Sequence, residues 1–358
     1  MPSSAHASCV EAGWTVSPSR PTPFTNANGV YQDGLLCFAR DSGGTLWSLL
    51  GHMGLGDITL WRGRSVDDLT MLGPVRYNFP LLQAGPAFNG VPYPDGPRSR
   101  GQVWPCALWI DPADDTFYCY VHNETGWGGG PTSYNVYGYH EGEPDFRHIG
   151  LMSSSDRGRS WDFRGWIITS DKPCWSTLFQ PDGMTGGQPP EGIVLGAGDH
   201  SLFVNDADGY LYIFYTENST VYVARAPKSS LGLPGSWQKY YEGAFCEPGN
   251  MGRATPLLTN AVIPGVLHNT HLGKYLMTTY HPQLWRSGQG ACQIALSDDL
   301  VHWSAPRPLD PSRTDLSRPY WTPVSAAESG SPNVAGRTFR LFYEGNGTDV
   351  WQVDVTVA

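Results

Sequence analysis

The sequence predicts an all-β fold, a five-bladed β-propeller, and three observations point to it. A β-hairpin pattern returns five times along the 358 residues. Each copy is followed by a third short apolar strand, so that the repeating unit is about 70 residues, as radial repetition of sheets requires. No stretch holds apolar residues at helical spacing over three turns.

The pattern is clearest in Gly198 to Glu217. Leu202 to Val204 is apolar, Asn205-Asp-Ala-Asp-Gly209 is dense in turn formers, and Tyr210 to Tyr215 is aromatic and β-branched. The same plan runs from Gly34 to His52, from Cys106 to Glu124, up to His281 and up to Glu344, with turns near 41–44, 111–115, 205–209, 271–273 and 333–337. Third strands follow at Asp57–Trp61, His148–Met152, Thr220–Ala224, Cys292–Leu296 and Val350–Val355. The blades therefore span about 29–75, 100–166, 196–240, 260–305 and 320–358 of a single domain covering 1–358. The last blade lacks an outer strand, and in the otherwise irregular segment 1–28 the stretch Gly13-Trp-Thr-Val16 is suited to supply it, closing the ring.

Composition agrees with many short strands and tight turns: 14 Trp, 18 Tyr, 13 Phe, 43 Gly and 30 Pro. The net charge of −10 argues against a nucleic-acid or anionic-membrane partner. No apolar run is long enough for a transmembrane helix, and the first eight residues lack the charged start and apolar stretch of a signal peptide. Of the seven cysteines, Cys106 with Cys119 or Cys174 with Cys246 are the pairs suited to a disulfide. Sequons stand at Asn123, Asn218 and Asn346, about as many as chance gives; the expectation is a secreted or periplasmic monomer.

Ser154-Ser-Asp156-Arg-Gly158-Arg-Ser-Trp161 matches the Asp-box pattern, Ser-x-Asp-x-Gly-x-x-Trp, of sialidase-like propellers. Ser297-Asp-Asp299-Leu-Val-His-Trp303 and Ser65-Val-Asp67-Asp68-Leu resemble the looser version found in the arabinanase, xylosidase and invertase propellers. The role of such boxes is local: the carboxylate caps turn amides, glycine takes a positive φ, and the Trp packs between sheets. The chain thus resembles five-bladed propeller glycoside hydrolases, as architecture over most of its length and as motif only in these segments.

In a propeller the first strand of each blade starts at the functional face and the second ends there. First-strand starts are Asp33, Trp104, Asp199 with His200, His268 with Asn269, and Trp321; second-strand ends are His52, His122 with Glu124, Glu217, Tyr280 with His281, and Glu344. Carboxylates, imidazoles and aromatics are thereby gathered on one face. Long Pro/Gly-rich loops at 76–103, 126–147 and 171–198 bring further aromatics, including Tyr93, Trp127 and Trp175, that suit stacking on sugar rings.

Such a face points to a glycosidase, which needs one carboxylic acid for the leaving oxygen and one carboxylate for water or the anomeric carbon. The resemblance to furanosidase propellers implies that Asp33, in Tyr31-Gln-Asp33-Gly34, is the base, that Asp199 tunes and orients the acid, and that the acid is a Glu, with Glu124 preferred, then Glu217, and Glu191 also placed for it. His52, Trp104, His122, His200, Arg253, His268, Asn269, Tyr280, His281 and Trp321 would contact an oligo- or polysaccharide. Invertase-type Asn-Asp-Pro, Arg-Asp-Pro and Glu-Cys motifs are absent, as is the sialidase Arg-Ile-Pro segment. A polysaccharide lyase using His122, His200, Tyr280, His281 and Arg253 on a uronate is the alternative, and a non-catalytic sugar-binding propeller a third. No cofactor is required and no Cys/His metal motif stands in the sequence, but the resemblance is compatible with a structural calcium in the central channel.

Overall fold

The computed structural model describes residues 13–22, 32–51, 58–78, 87–88, 91–92, 102–124, 146–171, 195–281, 292–313, 316–345 and 349–358. Five antiparallel sheets follow one another along the chain. Blade 1 is Cys37–Arg40, Leu46–Leu50, Thr59–Gly63 and Thr70–Pro74. Blade 2 is Gln102–Ile110, Phe117–Glu124, Phe146–Ser154 and Ser160–Ile168, with Arg76–Asn78 added in parallel at its outer edge. Blade 3 is Gly198–Asn205, Tyr210–Glu217, Thr220–Pro227, Gln238–Tyr241 and Ala244–Pro248. Blade 4 is Val262–Asn269, Lys274–Tyr280, Gln293–Ser297 and Arg307–Pro308. Blade 5 is Thr322–Val324, Thr338–Glu344 and Val350–Val357.

Strand side chains alternate between faces, so each blade offers an apolar face to both neighbours. The core accordingly divides into five clusters, one per seam. Trp47 and Leu49 of blade 1 meet Phe117 and Trp161 of blade 2. Tyr120 and Leu151 of blade 2 meet Leu211 and Tyr215 of blade 3. Phe214 and Val223 meet Met277 and Ala295, Leu276 and Ile294 meet Phe339 and Leu341, and Phe342 of blade 5 returns to Phe38 and Leu46 of blade 1. Five seams for five sheets is a closed ring.

The N-terminal strand completes blade 5: Trp14 pairs with Val357 and Val16 with Val355. Removing residues 1–18 leaves the Val350–Val357 edge unpaired and should lower the melting temperature by several degrees; an unchanged melting temperature would show that this strand adds nothing to the ring.

The Asp boxes sit at the turns between third and fourth strands. Asp156 Oδ1 accepts the Ser160 amide at 2.8 Å, Ser154 Oγ accepts the Gly158 amide at 2.9 Å, and Trp161 Nε1 donates to the Gly158 carbonyl at 2.8 Å. Gly158 has φ +79°, which only glycine adopts without strain. Asp299 repeats the scheme, accepting the His302 amide at 2.8 Å, while Asp68 accepts the Ser65 amide at 2.8 Å. These turns lie at the end of each blade opposite the starts of the first strands.

One turn differs from expectation. In blade 5, residues 325–337 separate the paired strands Thr322–Val324 and Thr338–Glu344, and Val334–Ala335 leaves to pair in parallel with His268–Asn269 of blade 4. The Ser/Gly/Pro-rich stretch is a cross-blade tie, not a tight hairpin. No helix among the described residues is long and apolar enough to cross a membrane. Cys37, Cys106, Cys119, Cys246 and Cys292 are free thiols, so the Cys106–Cys119 pairing suggested by sequence does not form; Cys174, of the other suggested pair, lies outside the described residues.

Candidate functional site

The inner strands of blades 2, 3 and 4 each carry one extra residue near their start. The register slips between Trp104 and Ala107, between Gly198 and Ser201, and between Val262 and Gly265. A bulge re-aims the side chains around it, and bulges collect beside active sites. The bulged pairs are Pro105-Cys106, Asp199-His200 and Ile263-Pro264. Asp199 and Ile263 lie at φ +41° and +58°, a conformation that costs a non-glycine residue on the order of 1–3 kcal/mol and persists only where surroundings enforce it.

A connected polar network runs across these strand starts. Asp33, just before the inner strand of blade 1, accepts hydrogen bonds on both oxygens: from Tyr320 Oη at 2.7 Å and from Trp104 Nε1 at 3.2 Å. Tyr320 comes from blade 5 and Trp104 from blade 2, so the carboxylate is held by its two neighbouring blades. The Trp104 ring meets His122 edge-on, with centroids 5.3 Å apart. His122 Nδ1 accepts the Asp199 amide at 2.6 Å and lies 3.7 Å from Asp199 Oδ1. Asp199 Oδ2 is in turn paired with Arg147 Nη1. Both side chains of that pair are mostly buried, at 15% and 18% exposure, so the ion pair is less screened than a surface pair.

Backbone glycine makes this packing possible. A Cβ at Gly198 would stand 2.6 Å from His122 Cε1 and 3.0 Å from Arg147 Cβ, so any larger residue would press on the imidazole and on the base of the Arg147 side chain.

The remaining sequence candidates divide sharply. Glu124 ends its strand with its backbone opposite Arg147 and Gln102. Glu217 is buried in the seam between blades 2 and 3, where Oε1 accepts the Ser170 hydroxyl at 2.5 Å. Nearby Lys239 donates to the Thr169 and Gly252 carbonyls, and burial brings its ammonium down to about 8. Trp321 is buried and stacked on Tyr343 at 4.2 Å. Tyr280 donates to the Ser317 carbonyl at 2.9 Å, and burial pushes its phenol up to about 12. His281 follows directly after that strand. His52, Glu191, Tyr93, Trp127 and Trp175 lie outside the described residues.

Two placements expected from sequence differ. His268 and Asn269 end the inner strand Val262–Asn269 instead of starting it, so they stand at the opposite face, beside Val334 and Ala335. The error is one of strand direction: the turn at 270–273 follows them. Arg253 is exposed at the outer part of blade 3, where Glu247 and the Tyr241 hydroxyl hold its guanidinium. His200 is fully buried, its Nε2 bonded to the Tyr120 carbonyl at 3.1 Å, and burial lowers it to about 3, so the ring stays neutral. The His/Tyr/Arg set that a lyase would need is therefore not assembled among the described residues.

Sequence reasoning missed Arg147 and Tyr320. Arg147 is the second residue of a third strand, a position the strand-end rule ignores, and Tyr320 immediately precedes Trp321.

For a metal, the described residues offer Cys106, His122 and His200, whose ligand atoms lie within 4.8 Å of one another. Calcium takes six to eight oxygen ligands, so a thiol and two imidazoles do not suit the calcium that the family resemblance allows.

No protein-family model matches the sequence, and no curated protein matches it. Among solved structures the chain is similar to a thermostable family-43 glycoside hydrolase, with 12% identity, 94% of this chain and 91% of that one covered, and a TM-score of 0.50. It is similar to 1,3Gal43A, an exo-β-1,3-galactanase from Clostridium thermocellum, with 14% identity, coverage of 93% and 61%, and a TM-score of 0.51. It is also similar to Zg3597, a family 117 glycoside hydrolase produced by the marine bacterium Zobellia galactanivorans, with 11% identity, coverage of 96% and 90%, and a TM-score of 0.51. The likeness is one of fold.

Proposed function

We propose that the chain is a glycoside hydrolase that cleaves a furanoside, an arabinofuranoside first among candidates, by a paired-carboxylate mechanism. The observation that supports this most is Asp33: a carboxylate at the start of the first inner strand, oriented through both oxygens by Trp104 and Tyr320. A base or nucleophile must be fixed in orientation before substrate arrives, since geometry supplies much of the rate. Asp33 is the base or nucleophile at the anomeric carbon. Asp199, held by Arg147 and His122, orients the acid, and Glu124 is that acid. Fold likeness to three glycoside hydrolases supports the reaction class; the furanoside rests on the position of Asp33.

The test is a glycan panel of arabinofuranosides, xylosides, fructans, β-1,3-galactan and uronate-containing chains. The expected result is new reducing ends from at least one neutral glycan. Unsaturated products from the uronates alone would replace this reading with the lyase, and no cleavage with retained glycan binding would make the protein a sugar-binding propeller.

A further inference from the structure

We propose that Cys106, His122 and His200 form a buried binding site for a zinc-class ion in the wall of the central channel. The proposal does not depend on the reaction proposed above.

The three residues are brought together by the bulges. Cys106 is the second bulged residue of blade 2 and His200 the second bulged residue of blade 3, so adjacent blades aim equivalent positions at one point. His122 joins from the second strand of blade 2, opposite Trp104. Their ligand atoms all lie within 4.8 Å of one another. Zinc bonds of about 2.0–2.3 Å put tetrahedral ligands roughly 3.5 Å apart, so modest side-chain movement closes the set. All three side chains are buried, with exposures of 3%, 2% and 0%.

His200 gives the independent sign that a ligand belongs here. Its Nε2 faces the Tyr120 carbonyl at 3.1 Å, which fixes the ring proton on Nε2. That leaves the Nδ1 lone pair, and Nδ1 is buried with no hydrogen-bond partner. A buried acceptor left without a partner is unfavourable, because it has given up its water and gained nothing in exchange. A metal-binding imidazole has this same arrangement, with its second nitrogen donating to a backbone carbonyl. The His200 amide also points at the Cys106 sulfur, so the thiol and His200 each have an orienting partner, while the Asp199 amide occupies the lone pair of His122 Nδ1 and must be displaced for that ring to bind.

The donor chemistry selects the ion. Thiolate and imidazole favour zinc and its soft neighbours, whereas calcium and magnesium want oxygen. Three protein ligands leave a fourth position for water. Space exists beside the site: a cavity of about 30 Å³ touches the inner strands of all five blades and is lined by Leu36, Cys106, Ser201, Gly265 and Thr322. On binding, the Cys106 thiol loses its proton to solvent as the metal–sulfur bond forms, and His200 binds through its free Nδ1. His122 gives up the hydrogen bond that its Nδ1 accepts from the Asp199 amide, so that this lone pair coordinates while the ring proton stays on Nε2.

The full-length chain, stripped with a chelator, should be loaded separately with Zn²⁺, Co²⁺ and Ca²⁺ alone. The expected result is one zinc per chain after dialysis, a melting temperature raised by several degrees with zinc and not with calcium, and a thiolate-to-cobalt charge-transfer band. Cys106→Ala should abolish the band, and His200→Ala should weaken zinc binding at least tenfold. Cys37→Ala and Cys119→Ala should leave both intact. A wild-type chain that retains no zinc and shows no cobalt band overturns the proposal, even if the variants misfold. So does a Cys106→Ala chain that keeps the zinc and the band.

Discussion

Asp33→Asn should slow glycan hydrolysis roughly 10⁴-fold or more, the scale on which loss of a base or nucleophile registers. The loss should fall on kcat with KM nearly unchanged, because the amide keeps the shape of the side chain and removes only its charge and basicity. The substitution is not silent for structure. Asp33 receives two hydrogens, from Tyr320 Oη and Trp104 Nε1. Asparagine can accept one and must turn its own amide hydrogens toward the other, which costs about 1–3 kcal/mol. A small drop in melting temperature is therefore expected alongside a large drop in rate. Activity within tenfold of wild type would remove Asp33 from the chemistry.

Glu124→Gln should show the second large effect, and its size should depend on the substrate. An acid matters in proportion to the basicity of the leaving oxygen, so hydrolysis of an unactivated glycan should fall on the order of 10²- to 10⁴-fold. A nitrophenyl glycoside, whose leaving group needs no proton, should lose far less. Glu124 is preferred because its backbone lies opposite Arg147, the residue that holds Asp199. Glu217 sits in a seam, with its carboxylate taken up by Ser170. Equal losses on both substrates would exclude Glu124 as the acid and turn attention to Glu217→Gln.

The ring was legible because its signals are local. Period-two strands and Asx- or Gly-rich turns stand next to each other in the chain, as at Tyr210–Glu217 and 205–209. The Asp boxes are also local, which is why Asp156 and Trp161 could be placed before any coordinates. Direction was harder. Because the start of the fourth inner strand, Val262, carries no turn signal of its own, the sequence pattern puts His268 and Asn269 at the wrong end of it. Contacts between blades were not legible at all: Tyr320 and Asp33 are 287 residues apart, and nothing near either announces the other. The bulges were hidden for a related reason. A bulge exists only relative to a partner strand, so Cys106 reads as one more apolar strand residue until register places it beside His200. The fifth hairpin failed because Val334–Ala335 pairs with another blade, a tertiary preference that turn chemistry does not encode.

The central claim is that water attacks a sugar's anomeric carbon under carboxylate control at this face. The most direct measurement is to cleave the glycan found in the panel in water enriched in heavy oxygen and weigh the products at early times. The account predicts the label on the newly released anomeric hydroxyl, with its appearance abolished in Asp33→Asn. Unlabelled products lighter by one water at the new non-reducing end, or label appearing at the wild-type rate in Asp33→Asn, would contradict it.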